Sequence, residues 1–126
     1  MERKTKIIIL WVLIITGFLT HSLTDIMPAF WGESIAAMQP PASVGMITFM
    51  MFLTYTFPVI GILLTIYGNK TTIKINIVLA CIMAVFTTFH LSELFMEFNF
   101  TQLFILPLMA AFAILLTKES LKLNKE

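Results

Sequence analysis

The chain has 126 residues, of which 59% are hydrophobic and 12% are charged, and its formal net charge is +1. A soluble domain carries about 25% charged residues, and a chain this short cannot bury so much apolar surface in a core of its own. The composition therefore excludes an ordinary soluble domain and favours a protein whose solvent is the lipid bilayer. A net charge so close to zero gives no reason to expect a nucleic acid as partner.

The first apolar segment covers about residues 7–27 and follows a basic start, as the apolar part of a secretory signal peptide does. A signal peptide ends in small residues at a cleavage site. This segment instead continues through Phe18, Leu19 and His21 without an A-x-A pattern. We therefore expect an uncleaved first transmembrane helix.

Three further apolar segments follow, at about residues 44–67, 75–98 and 102–117. Each approaches the roughly 20 residues that a helix needs to cross a bilayer. The connections are a long loop at residues 28–43, a basic loop at 68–72 and a tight turn at 99–101. Trp31 and Glu33 are expected in a short interfacial helix within the long loop. Pro40 and Pro41 mark the end of this loop, because consecutive prolines resist helix formation. The predicted fold is all-α: residues 1–126 form a single polytopic membrane four-helix bundle.

The basic residues predict how the bundle is oriented in the membrane. All eight fall at one end of the predicted helices: Arg3, Lys4, Lys6, Lys70, Lys74, Lys118, Lys122 and Lys125. The positive-inside rule places such an end in the cytoplasm. We therefore expect a multi-pass protein of the cell membrane with both termini cytoplasmic.

The opposite end carries the acids Asp25, Glu33, Glu93 and Glu97, without a basic counter-charge. His21 and Asp25 are four residues apart and share a face of the first helix. His90, Glu93 and Glu97 fall at i, i+3 and i+7 and form one stripe on the third. Both histidines lie about 21 Å along their helices from the basic end, at 1.5 Å per residue. The two stripes therefore lie at the same depth.

A carboxylate facing hydrocarbon costs roughly 2.5 kcal/mol or more at mid-membrane. We therefore expect both stripes to turn inward and face each other. Tyr55 could approach them from the second helix, and Gln102 starts the fourth segment at the level of Glu97. Nearby hydroxyls come from Thr20, Thr24, Thr87 and Ser92.

Three hypotheses account for these side chains. In the first, they only fix helix packing, since polar contacts between membrane helices contribute about 0.6 kcal/mol on average. In the second, His21, Asp25, His90 and Glu93 bind a divalent metal such as zinc, for which imidazole and carboxylate are suitable ligands.

In the third hypothesis, the same four side chains and Tyr55 line a pocket that opens outward, with Glu97 at its mouth. Such a pocket would bind a small or lipid-like ligand, or relay protons through the two histidines. We expect small-ligand or cation binding as the function. The alternative is a membrane scaffold or partner subunit, in which the polar side chains only fix packing.

Catalysis has little support, because the chain contains no G-x-S-x-G, P-loop or dinucleotide motif. Its single cysteine, Cys81, excludes an intramolecular disulfide. Four short helices are few for a transporter acting alone. Beside the lipid bilayer, a second copy of the chain or a larger membrane protein is therefore a credible partner.

Two resemblances extend this interpretation. Leu10, Trp11, Val12 and Asp25, with the stretches PVIGILLTIYGNK and IKINIVLACIMAVF, resemble a group of small uncharacterised four-helix bacterial membrane proteins. That resemblance spans most of the chain and implies the fold without an activity. The stretch FLTHSLTDIMP also resembles the first helix of the sterol-isomerase and sigma-2 receptor superfamily, with His21 and Asp25 at matching positions. The acid expected in that family's second helix is absent from GMITFMMFLTYTFP.

Overall fold

The computed structural model describes residues 1–32, 34, 43–96, 98 and 100–126, and within these ranges every regular element is helical. The elements are α1 (Arg3–Ile26), α2 (Val44–Ile66), α3 (Lys70–His90) and α4 (Ile105–Leu123). Short helical turns flank them: a 3₁₀ turn at Met27–Trp31, an α turn at Glu93–Met96 and a 3₁₀ turn at Phe100–Gln102. The predicted all-α class is confirmed.

All four helices, taken with these flanking turns, are long and apolar enough to cross a membrane. The predicted four spans are confirmed in this sense. The long-loop residues Glu33, Pro40 and Pro41 lie outside the described residues, whereas Trp31 ends the 3₁₀ turn that follows α1.

The ends of the helices differ from those of the apolar segments: α3 ends at His90, before residue 98, and α4 begins at Ile105, after residue 102. We set the start of the first segment at residue 7 and of the third at residue 75, but α1 begins at Arg3 and α3 at Lys70. Asn69 caps α3, because its side chain accepts from two backbone N–H groups of the first turn while the Thr72 hydroxyl accepts from the Asn69 N–H. Hydropathy thus marks the apolar part of each helix, whereas capping and helix propensity set where the helix begins.

Helix α2 is irregular in its middle. Residues Phe52–Thr56 form a π-helical turn between two α-helical halves, and Pro58 follows it without a backbone N–H to donate. The half before this turn, Val44–Met51, contains no buried residue, whereas the half after it buries Pro58, Gly61 and Thr65. The second half of α2 therefore carries its packing against the bundle.

Helices α1 and α3 each pack alongside α2 and α4, so they lie diagonally opposite and meet across the bundle axis. The largest buried side chain is Trp11 of α1, which is fully buried. A Cβ at Gly61 would overlap the Trp11 indole ring. This glycine therefore allows α2 to approach α1 closely.

A chain of neutral polar side chains crosses the core near Trp11. The Trp11 Nε1–H donates to Asn76 Oδ1 at 3.0 Å, and Asn76 Nδ2 donates to Ser120 Oγ at 3.1 Å. These three side chains, which we call the neutral tie, are at most 2% exposed. The neutral tie joins α1, α3 and α4.

The beginning of α1 and the end of α4 lie together at what we call the basic end. Arg3 donates to Glu119 at 2.9 Å and to Glu126 at 2.6 Å, and Lys122 contacts Glu119 at 3.1 Å. This arrangement agrees with helices that alternate in direction. The cytoplasmic location of the basic end stays a prediction.

Candidate functional site

The acidic end of the bundle contains a group of polar side chains that comes from four helical elements. His21, Thr24 and Asp25 belong to α1, His90 and Glu93 to the end of α3 and the turn after it, and Gln102 to the turn before α4. We call these six side chains the polar cluster.

The two imidazole rings meet directly across the bundle axis. His90 Nε2 lies 2.9 Å from His21 Nε2, and the rings are nearly perpendicular, with centroids 4.8 Å apart. The structure therefore brings the two stripes together at their histidines, as their equal depth predicts.

Each histidine has a carboxylate on its own helical element, one turn further along. His90 Nδ1 lies 3.2 Å from Glu93 Oε1, and His21 Nε2 lies 3.6 Å from Asp25 Oδ2. His90 and Glu93 form an ion pair when both ring nitrogens of His90 carry hydrogen. The distance between His21 and Asp25 is too long for a hydrogen bond. The Glu93 and Asp25 side chains are 54% and 32% exposed, against 20% and 12% for His90 and His21. The cluster therefore becomes more accessible from the imidazoles toward the carboxylates.

Gln102 links the cluster to the fourth helix. Its Oε1 lies 2.7 Å from His21 Nδ1, and its Nε2 donates to Thr24 Oγ1 at 2.9 Å and to Asp25 Oδ1 at 2.8 Å. Gln102 is only 5% exposed. The sequence placed Gln102 at the depth of the site but did not predict its hydrogen bonds. A single uncharged amide at the start of an apolar segment does not form a recognisable sequence motif.

Aromatic rings cover the side of the cluster that faces the core. The Phe86 ring stacks against His90 with centroids 5.8 Å apart, and Phe18 packs against Phe86 at the same separation. Thr87 is buried and donates to the Met83 carbonyl of its own helix. It therefore lies below the cluster without joining it.

Other residues of the predicted site lie elsewhere or outside the described chain. Tyr55 belongs to the π-helical turn of α2, is 57% exposed, and forms no hydrogen bond with the described part of the cluster. Thr20 donates to the Thr16 carbonyl. Glu97 lies outside the described residues.

The junction of the two stripes is occupied by direct contacts of 2.7–3.2 Å between the polar groups. A cavity of about 470 Å³ lies nearby on the outer face of α3, but its lining is apolar: Cys81, Ile82, Val85, Phe86 and Phe89. The cluster thus brings together nitrogen and oxygen atoms of the kind that bind metals and leaves little space between them, which suits a small cation better than an organic ligand.

The geometry allows a three-ligand metal site. His21, His90 and Glu93 each place one nitrogen or oxygen ligand atom so that all three lie within 4.8 Å of one another. In tetrahedral zinc with bonds of about 2.0–2.1 Å, neighbouring ligand atoms lie roughly 3.3 Å apart. The 2.9 Å between the imidazole nitrogens therefore needs to open by a few tenths of an ångström, and the wider separations, which reach up to 4.8 Å in this group, need to shorten.

Asp25, the fourth predicted ligand, is not part of that three-residue group. Its Oδ1 accepts from Gln102, which leaves Oδ2 at 3.6 Å from His21 Nε2. In the structure, Asp25 therefore contacts the ring of His21 mainly through Gln102. Its role as a ligand stays a prediction.

Neither a family model, nor a curated protein, nor a solved structure matches this chain. The two resemblances drawn from the sequence stay predictions. The argument for a function therefore rests on the geometry of the polar cluster.

Proposed function

We propose that this chain is a multi-pass protein of the cell membrane, with both termini in the cytoplasm, that binds a divalent cation such as zinc at its outward end. The observation that carries the proposal is the convergence of ligand atoms from His21, His90 and Glu93 within 4.8 Å. Two imidazoles and one carboxylate are a ligand set that divalent transition metals accept.

The cost of burying ionisable groups supports a role beyond packing. Ionisable side chains are rare inside membranes and commonly mark functional sites. Side-chain exposure increases from His21 at 12% to Glu93 at 54%, which supports entry of a cation by way of Glu93. Glu93, as the most exposed ligand, would be the first to meet the ion.

A second function has its own supporting observation. Among the described residues, every buried side-chain nitrogen and oxygen atom has a hydrogen-bond partner. The polar cluster is thus satisfied by its own contacts, as expected of a scaffold or partner subunit in which it fixes helix packing. The two functions differ in whether metal changes the protein.

Thermal unfolding of tag-free protein in detergent, with and without zinc, separates the two functions. A cation at 100 times its dissociation constant stabilises a one-site protein by about 2.7 kcal/mol. We expect zinc to raise the midpoint of unfolding, with one ion bound per chain by elemental analysis. Calcium serves as the control, because it prefers oxygen ligands.

Two variants make the result specific. His90→Ala removes a ligand and is expected to abolish the zinc-dependent shift. Asn76→Leu removes a buried amide of the neutral tie and is expected to keep that shift on a less stable protein. Indifference of the wild type to zinc, cobalt, nickel and manganese would overturn the metal proposal and favour the scaffold.

A further inference from the structure

Gln102 uses each of its polar atoms inside the polar cluster. The side chain is 5% exposed, accepts at Oε1 from one partner and donates from Nε2 to two. A buried amide so completely bonded fixes the groups around it, because moving any of them leaves a polar atom without a partner.

The chemistry of the partners sets the direction of each hydrogen bond. The Gln102 amide nitrogen donates to the Asp25 carboxylate oxygen Oδ1 at 2.8 Å, so the amide oxygen points the other way. The Thr24 hydroxyl gives its own hydrogen to the His21 carbonyl at 2.7 Å and is therefore free to accept from the same nitrogen. The Gln102 oxygen consequently faces His21 Nδ1 at 2.7 Å, and this ring nitrogen is the donor.

That direction decides the tautomer of His21. A neutral imidazole with its hydrogen on Nδ1 has its lone pair on Nε2. His21 Nε2 lies 2.9 Å from His90 Nε2, so in the metal-free protein it accepts from the N–H of that ring. Both histidines belong to the three-ligand group, and a cation would take the place of this hydrogen. In protein metal sites, a ligand histidine commonly donates its other ring N–H to a neighbouring oxygen, which fixes both tautomer and orientation.

We propose that Gln102 is the positioning residue of the cation site: it holds His21 as the Nδ1–H tautomer and so presents Nε2 to the ion. Thr24 and Asp25 act one step further out by holding the Gln102 amide in its orientation. The metal-binding part of this inference rests on the proposed function, whereas the tautomer of His21 is a property of the metal-free protein.

The first test is the tautomer itself, read from imidazole ¹⁵N chemical shifts of the metal-free protein in detergent. The chain contains two histidines, so only two rings need assignment. We expect the Nδ1–H form for His21 in the wild type and its loss in Gln102→Leu, which cannot accept the hydrogen bond. Asn76→Leu is the matched control, because it removes a buried amide at the neutral tie and should leave the His21 signal unchanged.

The second test is zinc affinity. Loss of a group that orients a ligand histidine costs about 10–100-fold in metal affinity, and we expect this loss in Gln102→Leu. The double variant Asp25→Asn, Gln102→Glu exchanges donor and acceptor, so that the new amide donates to the new carboxylate and the carboxylate accepts from His21. We expect this exchange to restore the Nδ1–H form and most of the zinc affinity, and it also covers the case in which Gln102→Leu fails to fold.

The outcomes separate the two proposals. If the wild type binds no zinc, the proposed function fails, and the ¹⁵N shifts still decide whether Gln102 sets the His21 tautomer. If the wild type binds zinc but His21 stays Nδ1–H in Gln102→Leu, with unchanged zinc affinity, the positioning role is overturned.

Discussion

The neutral tie joins α1, α3 and α4, while the polar cluster joins α1 and the end of α3 to the turn before α4, and each contains one buried amide. In the neutral tie the amide is Asn76, between Trp11 and Ser120. In the polar cluster it is Gln102, between its partners His21 and Asp25 of α1. The difference lies in the hydrogen-bond partners: those of Asn76 carry no titratable group, whereas those of Gln102 include an imidazole and a carboxylate beside the Thr24 hydroxyl.

Solvent access follows the same division. The neutral tie is at most 2% exposed, whereas the carboxylates of the polar cluster are 32% and 54% exposed. Neutral groups can be fully buried once they are hydrogen-bonded, but a charge needs water or a counter-charge. The comparison teaches that a hydrogen-bonded buried amide occurs in both regions, and that of the two regions the polar cluster is the one with partly exposed carboxylates.

The largest effect on stability is expected at the neutral tie. Trp11→Ala removes a fully buried side chain and leaves Asn76 Oδ1 without its donor. We expect the free energy of unfolding to fall by about 3–5 kcal/mol, measured by chemical denaturation in mixed micelles. A loss below about 1 kcal/mol would contradict the central position of Trp11 in the core.

The substitution that best separates the two regions is Asn76→Leu. It leaves the Trp11 N–H and the Ser120 hydroxyl unpaired in the core, and we expect the free energy of unfolding to fall by about 1–3 kcal/mol. Zinc affinity, measured by competition with a chelating dye, should stay within about twofold of wild type, since the substitution is distant from the polar cluster. A parallel loss of zinc binding would show that the two regions are not independent.

Glu93→Gln is expected to weaken zinc binding and leave stability nearly unchanged, which is the reverse of the effect of Asn76→Leu. The carboxylate is 54% exposed, so the free energy of unfolding should change by less than about 0.5 kcal/mol. Replacing an anionic ligand by a neutral one should weaken zinc binding at least about tenfold, or about 1.4 kcal/mol. Glu126→Gln at the basic end is the control that removes a charge of the same sign without touching the site.

The smallest effect is expected for Tyr55→Phe. Tyr55 is 57% exposed and bonds none of the described cluster residues, so neither stability nor zinc affinity should change measurably. A clear loss of zinc binding would instead return Tyr55 to the site, as the sequence predicted.

The fold could be predicted from the sequence because hydrocarbon imposes a simple pattern. Only a helix satisfies its own backbone hydrogen bonds in lipid, so four apolar segments predict four helices. The ends of the helices follow other rules, as Asn69 shows: its capping contacts place the start of α3 within a segment that hydropathy reads as a loop.

The meeting of His21 and His90 could also be predicted, because equal depth and the cost of facing lipid leave few other arrangements. Gln102 could not be assigned, since its role depends on where the turn before α4 places one amide relative to α1. Tyr55 lies in the π-helical turn of α2, an irregularity that the hydropathy pattern does not predict, and its role in the site stays a prediction.

The two tryptophans of this chain lie in opposite surroundings, since Trp11 is fully buried and Trp31 is 74% exposed. Indole emission moves to longer wavelength in contact with water, so the blue part of the intrinsic fluorescence belongs mainly to Trp11 and the red part to Trp31. One label-free spectrum can therefore distinguish opening of the core from a local change near the long loop.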